Sequence, residues 1–170
     1  EYIHGDMREV GSNDIATQLA ARLLILIGRF VLDHQIAGRV TGADGGYRIA
    51  GQRYIPDVAY ISMARHPESL GVGYIPAAPE LAVEVISDPD NSREQTQLRI
   101  KTADYLSENV LLWVVHPVNQ AIEVYRVGQA TQVIGLDGRV TGDPVLPGLT
   151  IAVRDVFAGV IPDPDQQDAD

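Results

Sequence analysis

Cysteine is absent from the 170-residue sequence, so a disulfide framework and a thiolate-bound zinc are both excluded. Long hydrophobic runs are missing as well. The longest candidate, LLILIGRFVL, is interrupted by Arg29 and falls short of the roughly 18 residues a membrane-spanning helix needs. The opening residues lack the basic stretch and apolar segment of a secretory leader. A cytoplasmic protein without a membrane partner is the expectation. Positive charge is scarce too: 13 Lys and Arg stand against 23 Asp and Glu, a net charge of -10. Coating nucleic acid by bulk electrostatics needs clustered cations, so any contact with phosphate has to be local.

What is present is an ordinary globular mixture, 45% hydrophobic and 21% charged. The length suits one domain, 1–161, closed by the acidic flexible tail 162–170, PDPDQQDAD. The opening YIHGDMREV reads as a short hairpin around a Gly-Asp turn. From Asn13 to about His34, Ile15, Leu19, Leu23, Leu26, Ile27 and Phe30 recur at helical steps, with Ser12 or Asn13 as the cap. Three short strand-like runs follow, near 39–43, 47–50 and 57–62, and the spacing predicts neighbouring strands. MARHPESLGVGYIPAAP has no periodicity and reads as a surface loop.

ELAVEVIS then forms a strand, and Ser92 with Gln95 suggests a capping box opening a helix that ends near Ser107. VLLWVVHP is continuously apolar, as a strand covered on both faces would be. AIEVYRV and ATQVIGL pair around Gly128, and VLPGLTIAVRDVFAGV closes with a strand and a helical turn. The sum is an α/β domain with a mixed sheet and at least two helices.

Three residues do not suit their surroundings. In ELAVEVIS, Glu84 shares a face with Ala82 and Ile86. A buried, unpartnered carboxylate costs several kcal/mol, so Glu84 has to be paired, protonated, at an exposed edge, or bound to metal. Asp57 opens the strand PDVAYIS behind Pro56, which holds the chain extended; alone, such a Pro-Asp is an ordinary start signal for a strand. Lys101 falls at the edge of the apolar stripe of its helix, between Glu94 and Tyr105, and either snorkels to water or aims into a cleft. Together they compose an arrangement for phosphodiester hydrolysis: two carboxylates from adjacent strands suit Mg²⁺, and a lysine can orient or deprotonate water.

PDVAYIS, PELAVEVISDPDNSREQTQLRIKTADYL, VLLWVVHPVNQAIEVYR and VLPGL, in that order, resemble the Uma2 (DUF820) family of restriction-endonuclease-like proteins, within the PD-(D/E)XK nuclease superfamily. The resemblance covers nearly the whole chain. It implies a restriction-endonuclease-like core, a central mixed sheet flanked by helices, with extra N-terminal and C-terminal strands. It also implies a Mg²⁺-dependent DNA endonuclease, with Mn²⁺ as a substitute, working as a homodimer or higher oligomer. Asp57 corresponds to the Asp of the PD motif and Glu84 to the second acid, both as metal ligands, with the Val85 carbonyl completing the set. The superfamily commonly has lysine two residues after that acid, where this chain has Ile86; Lys101 matches the family's pattern of a lysine moved to the following helix. GSND and WVVHP stand where similar sequences carry SPxH and WVVDP. Asp6, Glu9 and Glu80 are further acidic candidates.

Other motifs carry less. GADGGYRIAG lacks the Lys-Ser/Thr of a P-loop, the histidines His4, His34, His66 and His116 show no metal-binding spacing, and Ser62 and Ser87 sit in no Gly-x-Ser-x-Gly elbow. A noncatalytic binding or assembly module that keeps the nuclease fold is the competing expectation, supported by the acidic balance.

Overall fold

A computed structural model describes residues 2–3, 6–7, 13–68, 71 and 73–162. Glu9, Ser12 and the tail beyond 162 lie outside the described residues. The opening hairpin is present as β1 (Tyr2–Ile3) and β2 (Asp6–Met7), with Ile3 opposite Asp6.

Helix α1 spans Asp14–Asp33, and the Asn13 side chain caps it by accepting the Ala16 N–H at 2.8 Å. Its inner stripe is Ala16, Leu19, Leu23, Ile27 and Val31. Ile15, placed on that stripe by periodicity, is instead 42% exposed, because the buried face is centred one residue further on. By length and composition α1 is apolar enough to cross a membrane; its Leu19, Leu23 and Ile27 are fully buried against the sheet, as in the core helix of a globular domain.

The central sheet has six strands: β3 (Gly38–Thr41), β6 (Val58–Ser62), β7 (Leu81–Val85), β8 (Leu111–His116), β9 (Ala121–Tyr125) and β10 (Gln132–Ile134). Their spatial order is β10-β9-β8-β7-β6-β3. Only β7 and β8 run parallel, and the connection between them is helix α2 (Ser92–Ser107). This is the mixed sheet that the strand pattern predicts. Alternation along β7 sends Leu81, Val83 and Val85 into the core under α1, and Ala82 and Ile86 into a second core that holds Tyr105 of α2. β8 feeds both cores in the same way, which accounts for its unbroken apolar run.

Two strands lie outside the predicted set. β5 (Gln52–Tyr54) pairs with β4 (Tyr47–Ile49), and these join β1 and β2 in a separate small sheet, so the run near 47–50 does not neighbour β3 or β6. β11 (Arg139–Thr141) pairs with β12 (Thr150–Ala152) ahead of the short helix α3 (Val153–Phe157). QRY and RVT are too short and too polar to show an alternating pattern, and cross-strand pairing makes them strands.

The cap of α2 also differs. Asn91, not Ser92, accepts the Arg93 and Glu94 N–H groups, while the Gln95 side chain donates to the Pro89 carbonyl instead of closing a capping box.

Candidate active site

Pro56 sets up the site. The antiparallel register Val58↔Val83, continued outward, places Asp57 opposite Glu84 and Pro56 opposite Val85. Proline has no N–H, so the backbone ladder cannot continue past Val58. The Asp57 side chain takes over: its Oδ2 accepts the Val85 N–H at 2.7 Å. On the same register Pro56 has no N–H to offer the Val85 carbonyl.

Glu84 stands on the α2 face of β7, 8% exposed. Its two oxygens are engaged separately: Lys101 Nζ lies 3.0 Å from Oε2, and the Tyr105 hydroxyl donates to Oε1 at 2.7 Å. Among the four states open to a buried carboxylate, the structure selects a paired one. Lys101 is the single lysine of the chain, is itself 8% exposed, and its ammonium lies 5.8 Å from the centre of the Tyr54 ring. Tyr54 stacks on Tyr105 with ring centres 5.8 Å apart and donates its hydroxyl to Asp104 Oδ2. Glu84, Lys101, Tyr105, Tyr54 and Asp104 thus form one connected network at the edge of the second core.

The network opens on one side into a cleft of about 860 Å³, lined by Asp57, Glu84, Val85 and Lys101, by the first half of α1 and by the N-terminal half of α2. Asn13 and Glu94 frame it. Glu94 accepts the N–H groups of Ser87 and Asp88 at 2.8 and 3.0 Å and the Ser87 hydroxyl at 3.0 Å, which pins the turn leaving β7. Asn13 donates to the Ser87 carbonyl, tying α1 to the same turn.

The three residues singled out in the sequence therefore meet at one cleft. Glu80 does not join them: its carboxylate accepts the Ser62 N–H at 2.6 Å and the Ser62 hydroxyl at 3.0 Å, at the opposite end of β7. Asp6 lies in β2 of the small sheet. Tyr54, Asp104, Tyr105, Glu94 and Asn13 are site residues to which sequence reasoning gave no such role. Glu94 and Lys101 are seven positions apart, two helical turns, so their shared face was readable; nothing local marked Tyr54. Of the histidines, His116 Nε2 on β8 lies 3.4 Å from Glu123 Oε1 on β9, away from the cleft lining.

The fold is that of a restriction-endonuclease-like domain, with acidic residues at the adjoining ends of two central strands. The profile of the Uma2 family, described as "Putative restriction endonuclease", matches residues 1–154. The chain belongs to the Uma2 family. Among solved structures it is similar to a "putative nuclease belonging to DUF820" from Anabaena variabilis ATCC 29413, with a TM-score of 0.81 at 20% identity, covering 94% of this chain and 90% of that one. No curated protein matches significantly.

Proposed function

We propose that the chain is a Mg²⁺-dependent endonuclease that hydrolyses phosphodiester bonds in DNA, with Mn²⁺ as an alternative ion, acting in the cytoplasm as a homodimer or higher oligomer. The observation that carries this is the meeting of Asp57 and Glu84, from adjoining strands, at one cleft beside the only lysine.

The donor chemistry fits a hard cation. Asp57 and Glu84 carboxylates and the Val85 carbonyl would hold it, an all-oxygen set of the kind Mg²⁺ takes. No group of three or more His, Cys, Asp or Glu converges among the described residues, so remaining positions fall to water and substrate phosphate. The ion would polarise a phosphoryl oxygen and lower the pKa of bound water.

The chain's own residues do the rest. Tyr105 fixes the Glu84 rotamer through Oε1, leaving Oε2 turned to Lys101. Lys101 holds an ammonium proton at the cleft wall, and lysine, unlike arginine, can give up that proton when its surroundings ask for it. Apolar cleft residues such as Ala20, Leu24 and Ile55 limit water around the reacting phosphate.

One observation favours a second reading, a noncatalytic binding or assembly module: both Glu84 oxygens already have donors, so the buried network is complete as it stands. Isothermal titration with Mg²⁺ and Mn²⁺, paired with a DNA cleavage assay, separates the two. The nuclease reading expects ion binding and cleavage in the parent, both lost in Asp57→Ala and Glu84→Ala. A Glu84→Ala chain that cuts DNA at the parental rate, or a parent that cuts none with either ion, sinks it.

A further inference from the structure

Most cations of this chain are already held. Arg22, Arg39, Arg65 and Arg126 donate to main-chain carbonyls, Arg29 and Arg154 pair with Asp33 and Asp137, and Lys101 pairs with Glu84. Among the described residues Arg48, Arg53, Arg93, Arg99 and Arg139 have no such side-chain partner, and the pairing of the first two sets them apart. They are direct cross-strand partners in the β4–β5 hairpin, and both are exposed. The alternate positions Tyr47, Ile49 and Tyr54 are fully buried, so the strand period sends both arginines to the outer face. Among the described residues no ion pair reaches either guanidinium.

Like charges directly opposite each other weaken a sheet, so folding alone gives no reason for this pair. The Arg53 guanidinium also rests 5.6 Å from the centre of the Tyr74 ring, which restricts where it can point. In a chain of net charge -10, two adjacent exposed cations that no carboxylate among the described residues pairs with supply the local contact that a phosphate requires.

We propose that Arg48 and Arg53 form a docking site for the phosphodiester backbone of a DNA strand, placed to lead that strand toward the cleft. β5 joins the two places: Asp57 lies four positions after Arg53, at most about 14 Å of extended chain. On the inner face of the same strand, Tyr54 touches Lys101 and Asp104, so the grip and the candidate site share one rigid element. Cross-strand Cβ atoms lie about 5 Å apart, close enough for both forks to grip one phosphate or two successive ones. The inference takes its substrate from the nuclease reading above, while the contact itself stands on the hairpin.

The test is fluorescence anisotropy of labelled single-stranded and duplex DNA with the full chain, in EDTA so that nothing is cut, over a series of salt concentrations. Arg48→Ala and Arg53→Ala should each weaken binding about three- to tenfold and lower the salt slope by about one. The double reversal Arg48→Glu/Arg53→Glu should weaken it further, and Arg139→Glu, at an exposed position of β11, should change neither quantity. Arg48→Glu alone sets opposite charges across the pair, so its Tm should not fall, which separates lost binding from lost folding. A double reversal with parental affinity and slope overturns the proposal, as does a parent that binds neither DNA at low salt. Arginine-dependent binding by a protein that never cuts DNA would support the docking site and sink the nuclease reading.

Discussion

Lys101 Nζ stands 3.0 Å from Glu84 Oε2, with the two side chains only 10% and 11% exposed. Removing one partner of a buried pair strands the other charge in a poorly solvated place, whereas removing both can be close to neutral. Lys101→Met should therefore cost about 3–5 kcal/mol in urea denaturation, and Glu84→Gln/Lys101→Met should recover most of it. A Lys101→Met variant as stable as the parent would show that the pair is open in solution.

Tyr105 is fully buried and its hydroxyl has the Glu84 carboxylate as acceptor. Hydrogen bonds to charged groups contribute about 1.5–3 kcal/mol, so Tyr105→Phe should lose an amount in that range. If Tyr105 positions Glu84 for the proposed chemistry, metal-dependent cleavage falls as well. Unchanged stability and unchanged ion affinity would remove Tyr105 from the network.

Asn13 does two things that one pair of substitutions can separate. Its Oδ1 caps α1 through the Ala16 N–H, and its Nδ2 donates to the Ser87 carbonyl beside the cleft. Asn13→Ala loses both and should cost about 1 kcal/mol for the cap alone. Asn13→Asp keeps the cap and loses the second contact, so its thermal stability should stay near the parent while ion affinity drops. Equal loss of stability in both variants would argue that the Ser87 contact matters more than the cap.

The alkaline limb of stability should carry a tyrosine signature. Burial pushes the Tyr125 hydroxyl up from its ordinary value, and its hydrogen bond to Glu123 and that carboxylate's charge push the same way. A group whose folded pKa is raised contributes stability that is intact below the unfolded value, about 10, and is lost as pH rises beyond it. Burial raises Tyr47 and Tyr60 too, Tyr60 with help from the Glu80 charge. Tyr125→Phe should flatten only part of the decline above pH about 10, read by Tm against pH. A Tyr125→Phe curve that parallels the parent's would place Tyr125 in contact with solvent.

Much of the fold was legible because local patterns and long-range packing agree. The period of α1, the alternation of β7 and the unbroken apolar run of β8 each report how many faces of the element are covered. Legibility failed where an element is too short to show a period, as in β5 and β11, or where several cap residues compete, as at Asn91 and Ser92. Ile15 shows a finer limit: helical spacing gives a stripe, but its centre depends on what packs against it.

By itself the sequence determined that Asp57 stands behind a proline at a strand start, that Glu84 lies on an apolar face, and that Lys101 borders a buried stripe. Each of those is a property of neighbours a few positions away. Tertiary structure decided who meets whom: Lys101 and Tyr105 reach Glu84 across 17 and 21 positions, and Asp57 reaches Val85 across 28. Only the pairing of β6 with β7 and the packing of α2 on that sheet bring those groups within hydrogen-bond distance. Tyr54 is the clearest case, since a tyrosine in a three-residue strand gives no local sign that its ring will lie beside the only lysine in the chain.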